Sequence, residues 1–173
     1  LAASVDLAAE VVAFDPHLRK RSVEPRGTLQ RRGELREREA DGRVGHRMTS
    51  PLGPLKLRDI KGGKKAKKAH INDVMSRLHN DMGAPEAMRL FLVGGSWRAI
   101  ARIDMERRGH PLTVLHEYRM SARQVSKTAD YIAKSDLQEL RARCHISDSR
   151  MSLVPIAILV LKSLVRKFKP KDI

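Results

Sequence analysis

A short apolar run, two glycines and an apolar pattern of helical period follow one another in the middle of the chain. Leu90 to Val93 are suited to a buried strand, and the apolar residues after Ser96 recur at helical spacing. The pattern predicts a strand, a tight turn at Gly94-Gly95 and a helix that Ser96 caps. First-turn N–H groups favour an anion, so Gly94, Gly95 and Ser96 are candidate phosphate-binding residues. A turn that binds nothing has the same pattern.

Periodic apolar residues predict further elements on both sides of this turn. Residues 1–13 are rich in alanine and valine and predict a short helix, which Phe14-Asp15-Pro16 ends. Strands that alternate with helices predict an α/β layer architecture. The elements predicted beyond residue 40 are strands over 44–49 and 112–118, helices over about 65–82 and 152–168, and two helices capped by Ser121 and Ser135 that end near Ala133 and Arg143. The apolar face of the helix over 65–82 consists of Ile71, Val74, Met75, Leu78 and Met82.

The segment from Leu18 to Arg43 is crowded with charge and has few large apolar residues. Because it has little with which to pack against a core, residues 1–40 are predicted to be poorly ordered. Two alternatives remain for its arginines: a solvated tail, or a basic tail that binds nucleic acid. Order is predicted to begin at Asp41-Gly42, a dipeptide typical of hairpin turns.

The charge of the chain is strongly positive. Lysine and arginine total 35 residues against 20 aspartate and glutamate residues, which gives a formal net charge of +15. Such a charge attracts long polyanions, such as nucleic acid or polyphosphate, whatever the fold. Aromatic residues make up only 3% of the chain, so base-stacking platforms are poorly supplied. The composition therefore favours a ligand that is recognised through its phosphates alone.

The single cysteine, Cys144, excludes an internal disulfide and predicts a reducing, cytoplasmic location. The longest apolar run, Leu153 to Leu161, is far shorter than the ~20 residues that cross a bilayer. No signal-peptide pattern is present, so no membrane partner is expected. The chain begins with Leu1 rather than methionine, which favours a piece of a longer protein.

Titratable residues match no known catalytic or metal-binding motif. The histidines are scattered, and His116-Glu117 lacks the second histidine of a zinc-protease helix, so no metal site is predicted. The basic stretch from Lys61 to Lys68 lacks the spacing of a phosphate-binding P-loop and is predicted to be a solvated helix entry. No catalytic residue is assigned, although the acidic candidates for holding a water or Mg²⁺ are Asp104, Glu117, Asp136 and Asp148.

Several motifs, taken in their order and spacing, form a more specific pattern over residues 41–173. They are Asp41-Gly42-Arg43-Val44-Gly45 with Ser50-Pro51-Leu52-Gly53-Pro54, then Val93-Gly94-Gly95-Ser96-Trp97-Arg98, then Gly109-His110-Pro111-Leu112 with Leu115-His116-Glu117-Tyr118, and Ser149-Arg150 with Leu153-Val154-Pro155. In this order they resemble the exopolyphosphatase and guanosine pentaphosphate phosphohydrolase (Ppx/GppA) family. The resemblance implies the partial second lobe of an actin-like, ribonuclease-H-type phosphatase domain with a mixed sheet and flanking helices.

The resemblance also implies an activity and its ligands. The family hydrolyses phosphoric anhydrides, releasing terminal phosphate from polyphosphate or guanosine pentaphosphate by Mg²⁺-assisted attack of water, and it suggests a homodimer. Within this resemblance Gly94, Gly95 and Ser96 correspond to the second phosphate-binding loop.

Two departures from the family pattern bear on activity. Thr28 to Leu35 stand where the family has a glycine-rich phosphate loop and an acidic catalytic residue, and Arg31 and Arg32 occupy positions where backbone must contact phosphate. The first lobe has no counterpart before Leu1. We therefore expect a truncated or inactive exopolyphosphatase-like fragment whose residues 1–40 are out of register, as a frameshift would leave them. The alternative is a basic nucleic-acid-binding protein.

Overall fold

The computed structural model describes the backbone of residues 3–6, 11–15, 46–82 and 89–173, and the side chains of residues 50–81 and 89–173. The strands are β1 (Ala3–Asp6), β2 (Val11–Asp15), β3 (His46–Thr49) and β4 (Arg89–Val93). The helices are α1 (Pro54–Arg58), α2 (Gly63–Met82), α3 (Gly95–Arg108), α4 (Ala122–Lys134), α5 (Leu137–Arg143), α6 (Asp148–Met151) and α7 (Val154–Phe168).

Helix α7 is the centre of the core. It contacts α1, α2, α3, α4 and α6, and Val154, Ala157 and Leu161 on it are 0% exposed. Pro155 lies in the first turn of the helix. Backbone N–H groups there have no acceptor within the helix, so proline, which has no N–H, costs no helical hydrogen bond. Lys169, with a φ of 46°, ends the helix in the left-handed conformation. The apolar sequence of α7 is therefore explained by burial against five other helices.

The predicted helix over 65–82 is confirmed as α2, which begins at Gly63. Four of its five predicted face residues, Ile71, Val74, Met75 and Leu78, are between 1% and 4% exposed. They pack in the common core with α7 because residues three and four apart lie on one side of a helix. The side chain of the fifth, Met82, lies outside the described part.

The strands are short and join in one sheet in the order β3-β1-β2-β4. β2 pairs antiparallel with β1 and with β4, and β1 pairs parallel with β3. The register sets Val11 opposite Val93 and Phe14 opposite Leu90. β4 is thus one of the two edge strands of this sheet, and it contacts helix α3. The strand predicted over 44–49 is confirmed for His46–Thr49, while residues 44 and 45 are not described.

The predicted α/β fold, a partial actin-like lobe with a mixed sheet and flanking helices, is wrong. From residue 50 onward the described chain is 66% helical and 5% strand, with β4 as its one strand and no sheet of its own. An α/β lobe requires several strands that alternate with the helices covering them. Here the core is formed by helices packed on α7, so residues 50–173 are a helical assembly as far as they are described.

Two predicted elements differ from the structure. Residues 1–13 were expected to form a helix, but residues 3–6 and 11–15 are the strands β1 and β2, paired with each other. The strand predicted over 112–118 is absent, since this segment is a loop with Leu112 and Val114 61% and 60% exposed. A strand is stabilised only when a neighbour pairs with it, and this loop instead makes a local turn in which Tyr118 N–H donates to Leu115 C=O (3.2 Å).

One predicted helix cap is confirmed and another is wrong. Ser121 caps α4 in a capping box: its Oγ accepts from Gln124 N–H (3.3 Å), while Gln124 Oε1 accepts from Ser121 N–H (2.6 Å). The cap of α5 is Asp136, not Ser135. Asp136 Oδ1 accepts from the N–H groups of Gln138 (2.8 Å) and Glu139 (2.9 Å). Aspartate is among the preferred N-cap residues because its carboxylate accepts such hydrogen bonds.

The predictions for residues 18–43, which include the hairpin at Asp41-Gly42 and the disorder of the charged segment, lie outside the described residues. None of the helices in the described ranges is long and apolar enough to span a membrane.

Candidate phosphate-binding site

The predicted strand, turn and helix around Gly94 are confirmed. β4 ends at Val93 and α3 begins at Gly95, so a single residue makes the turn. Gly94 has a φ of 152° and a ψ of 170°, a conformation that residues with a Cβ atom rarely adopt. Glycine therefore allows the strand to pass directly into the 14-residue helix α3.

The prediction that Ser96 caps α3 is wrong. Gly94 is the N-cap and makes no side-chain cap hydrogen bond, and Ser96 lies one residue inside the helix, where it is 3% exposed. The first turn of α3 contains no acidic residue, so no carboxylate there offsets the positive end of the helix dipole. This helix end is therefore electrostatically suited to an anion.

Two arginine side chains flank the same helix end. Arg98 Nε donates to Gly94 C=O, with an N···O distance of 3.4 Å. Arg150, on α6, lies against Gly95. A Cβ atom placed on that glycine would be only 3.3 Å from Arg150 Nε. Both arginines are exposed, and within the described part of the chain neither pairs with a carboxylate. Guanidinium groups form strong charge-assisted hydrogen bonds to phosphate oxygens.

The same donor set does not suit Mg²⁺. This ion takes oxygen ligands, chiefly carboxylates and phosphates, whereas Gly95, Arg98 and Arg150 offer N–H and guanidinium donors. Among the residues that the structure describes, no group of three or more His, Cys, Asp or Glu side chains could hold a metal ion. The Mg²⁺ implied by the family resemblance therefore does not fit the described residues.

Asp104, the first acidic candidate, is fully buried at 0% exposure. Its Oδ1 accepts hydrogen bonds from Thr128 Oγ1 (2.6 Å) and Arg107 Nη2 (2.6 Å), and its Oδ2 accepts one from Tyr118 OH (2.7 Å). Arg108 Nη1 lies 3.7 Å from Oδ2. These contacts tie α3 to α4 and to the loop that ends at Tyr118, so Asp104 has a structural role.

The bonds around Asp104 also set its protonation. Burial raises the pKa of this carboxyl, but the hydrogen bonds from Thr128, Tyr118 and Arg107 outweigh burial, and the pKa lies below its usual 3.8. Tyr118 responds in the opposite direction, because its burial and its bond to the carboxylate raise its pKa to about 12. The pair is therefore held as carboxylate and neutral phenol at neutral pH.

Two of the other acidic candidates have roles in local structure, and the third lines a cavity beside α3. Asp136 caps α5, and Asp148 pairs with Arg141 at 3.1 Å in the first turn of α6. Glu117, with a φ of 55° in the loop before Tyr118, lines that cavity together with Arg98. The structure thus does not bring these carboxylates together.

A cavity of about 590 Å³ adjoins the site, between β4, α3 and the loop over 115–120. Trp97 and Arg98 line it, and its walls are mostly apolar. Ile173 also lines it and is bonded to Met120, since its N–H donates to Met120 C=O (3.1 Å) and its C=O accepts from Met120 N–H (2.7 Å). Gly94, Gly95 and Ser96 are not among its lining residues. Phosphates at the helix end would therefore lie at the margin of this cavity.

Cys144 is buried, at 6% exposure. Burial and the negative charge of Glu106 raise the pKa of its thiol from 9.0 to about 11. Because the thiolate is the reactive form, labelling of the native chain by a disulfide reagent near pH 7 should be roughly a hundredfold slower than labelling in urea. Equal rates in the native and unfolded chains would show that Cys144 is accessible.

Comparisons with known proteins do not identify a family. No protein-family model matches this chain, and no curated protein is significantly similar to it. The resemblance to the exopolyphosphatase family therefore remains a prediction from the motifs.

Sequence reasoning located the turn but assigned no role to the two arginines. Arg98 could have been found, because it lies one helical turn after Gly94 and its side chain returns to the helix end. Arg150 is brought to Gly95 by the packing of α6 on α3. No local pattern marks such a contact between distant parts of a chain.

Proposed function

We propose that this chain binds the phosphates of a phosphoanhydride, inorganic polyphosphate or guanosine pentaphosphate, at the N-terminus of α3. The chain would be an exopolyphosphatase-like hydrolase fragment that has retained a binding site. The observation that carries this proposal is the pair of exposed guanidinium groups, Arg98 and Arg150, beside the α3 helix end at Gly94 and Gly95.

The chemistry of the site favours phosphate over other ligands. N–H groups and guanidinium groups both donate hydrogen bonds, and a tetrahedral anion with several oxygens can accept from both at once. Trp97, the aromatic side chain nearest in sequence, is 4% exposed and so offers no open face on which a base could stack. The donors beside Gly94 and Gly95 therefore recognise phosphate, while the exposed ring of Phe91 lies in the adjoining cavity.

Hydrolysis by this chain is expected to be negligible. Phosphoanhydride cleavage requires an attacking water held in line, usually by carboxylates and metal ions. In the described part of the chain, the oxygens of Asp104 are engaged by three donors, while Asp136 and Asp148 act in helix caps and ion pairs. Of the two carboxylates that line the adjoining cavity, Asp172 pairs with Arg89 at 3.6 Å, which leaves Glu117 as a single carboxylate rather than a catalytic pair. We therefore expect this chain to bind phosphoanhydrides but to hydrolyse them negligibly.

Gly95→Asp is expected to weaken binding of long-chain polyphosphate about tenfold or more. The new carboxylate would repel phosphate at the helix end, and its Cβ would press on Arg150, whose Nε lies 3.3 Å from that position. The variant should remain folded, because aspartate suits the first turn of a helix. Isothermal titration calorimetry at low salt measures the change.

Thr113→Asp is the matched control, since it adds the same charge in an exposed loop residue. It should bind polyphosphate nearly as well as the parent chain. If both variants lose affinity equally, binding follows net charge and the proposed site is wrong. Phosphate release is measured in parallel with and without Mg²⁺. Robust release by the parent chain that Gly95→Asp abolishes would support the site but contradict negligible turnover.

A further inference from the structure

A second feature, a groove between α2, α4 and α7, is independent of the α3 helix end. Its volume is about 420 Å³. The described residues that line it are Lys68, Ile71, Asn72, Ala122, Val125, Ser126, Leu159, Lys162, Ser163, Val165 and Arg166. We refer to this feature as the basic groove.

The charged side chains in the basic groove have one sign. Lys68, Lys162 and Arg166 line it, and none of the described lining residues is acidic. The carboxylate nearest to these cations among the described residues is Asp130, whose Oδ1 lies 3.7 Å from Lys162 Nζ. Both members of that pair are largely exposed, so solvent screens it strongly. The groove therefore presents a net positive surface.

Asn72 fixes the position of one of these cations. Its Oδ1 accepts from Arg166 Nη2 (2.6 Å) and from Ser163 Oγ (3.0 Å). With the carbonyl oxygen of this amide engaged on both sides, its NH₂ group is the part left to contact a ligand. The groove thus combines ammonium, guanidinium and amide donors.

Cations on α2 and on α7 are spaced so that they repel each other within each helix. Lys64 and Lys68 on α2, and Lys162 and Arg166 on α7, are each four residues apart, so like charges lie on the same helix face. Such pairs repel each other and destabilise an isolated helix. A polyanion in the groove would relieve the repulsion between Lys162 and Arg166, which both line it, and would offset the charge of Lys68.

We propose that the basic groove binds the phosphodiester backbone of a nucleic acid without regard to sequence. The cations would contact phosphates, and the half-buried apolar side chains Leu159 and Val165 would face the C–H surface of the sugars. Inorganic polyphosphate has no apolar surface to offer to that part of the groove. This inference goes beyond the phosphate site at α3 and does not depend on it.

The test compares two double variants of the full chain in binding to a labelled mixed-sequence duplex DNA of about 20 base pairs, a length that exceeds the groove. Lys68→Gln/Arg166→Gln removes two cations from the groove, and Lys56→Gln/Lys134→Gln removes two exposed cations elsewhere. The groove variant should lose about tenfold or more in affinity near 0.1 M salt. Its negative slope of log K against log salt should become shallower by about two, because each phosphate contact contributes about 0.9 to the size of that slope.

The control variant should retain affinity within about threefold, because long-range attraction by the remaining positive charge is nearly unchanged. Equal losses in the two variants, or no duplex binding by the parent chain at low salt, would overturn the proposal. A groove variant that loses polyphosphate affinity but keeps duplex affinity would also overturn it. Gly95→Asp should leave duplex binding unchanged, which distinguishes this site from the one at α3. Circular dichroism of each variant verifies that it is folded.

Discussion

Replacing Asp104 with alanine is expected to lower the free energy of unfolding by about 3 to 5 kcal/mol. The carboxylate is 0% exposed and accepts hydrogen bonds from Thr128, Arg107 and Tyr118. Its removal would leave the Arg107 side chain, 18% exposed, without its carboxylate partner and Thr128 Oγ1 without one of its two acceptors. Since a domain of this size is stable by only about 5 to 15 kcal/mol, this loss is a large fraction of its total stability.

Tyr118→Phe is the graded control for this prediction. It removes one donor to the carboxylate and leaves the bonds from Thr128 and Arg107 in place, so it should cost about 1 kcal/mol. Urea unfolding followed by far-UV circular dichroism measures both variants. If the alanine variant at position 104 is no less stable than Tyr118→Phe, the buried carboxylate does not hold α3, α4 and the loop together.

The acid dependence of stability follows from the same carboxylate. The folded pKa of Asp104 lies below the unfolded value near 3.8, so its contribution is present above that pH and is lost as pH falls through the folded pKa. The parent chain should therefore lose stability below about pH 4. Asp104→Asn, which cannot ionise, should lose less over that range. An identical pH dependence in both proteins would contradict the assignment.

The elements that sequence reasoning predicted correctly have local signals. In α2 the apolar residues recur at spacings of three and four, and in α4 Ser121 and Gln124 form a capping box that is readable from four adjacent positions. The turn at Gly94 is likewise local, because an apolar run meets two glycines. Local hydrogen bonds and side-chain direction determine such features, so the sequence around them is sufficient.

The errors concern features that depend on distant neighbours. Leu112 and Val114 alternate with polar residues as a strand would, but without a pairing strand their side chains stay exposed in a loop. Residues 3–6 were expected to be helical, and they are a strand because β2 and β3 pair with them. Pairing partners are absent from local sequence patterns, which is why the fold class was predicted wrongly.

The candidate sites show the same difference between local signals and contacts with distant neighbours. Gly94 and Gly95 were found because an apolar run followed by two glycines indicates a turn, whereas Arg150 reaches Gly95 through the contact of α6 with α3. The basic groove is also nonlocal, since Lys68 comes from α2 and Lys162 and Arg166 from α7. Net charge alone indicated a polyanion, but only helix packing shows where cations from separate helices converge.

Leu164→Ala is expected to lower the free energy of unfolding by about 2 to 5 kcal/mol. Leu164 is 1% exposed on α7, which contacts five other helices, so the surroundings can close only partly over the lost volume. Leu112→Ala removes the same atoms from a residue that is 61% exposed and should change stability by no more than about 0.5 kcal/mol. Urea unfolding of the two variants measures the difference directly. Similar losses at both positions would mean that α7 is not the centre of the core, and the helical assembly described for residues 50–173 would be wrong.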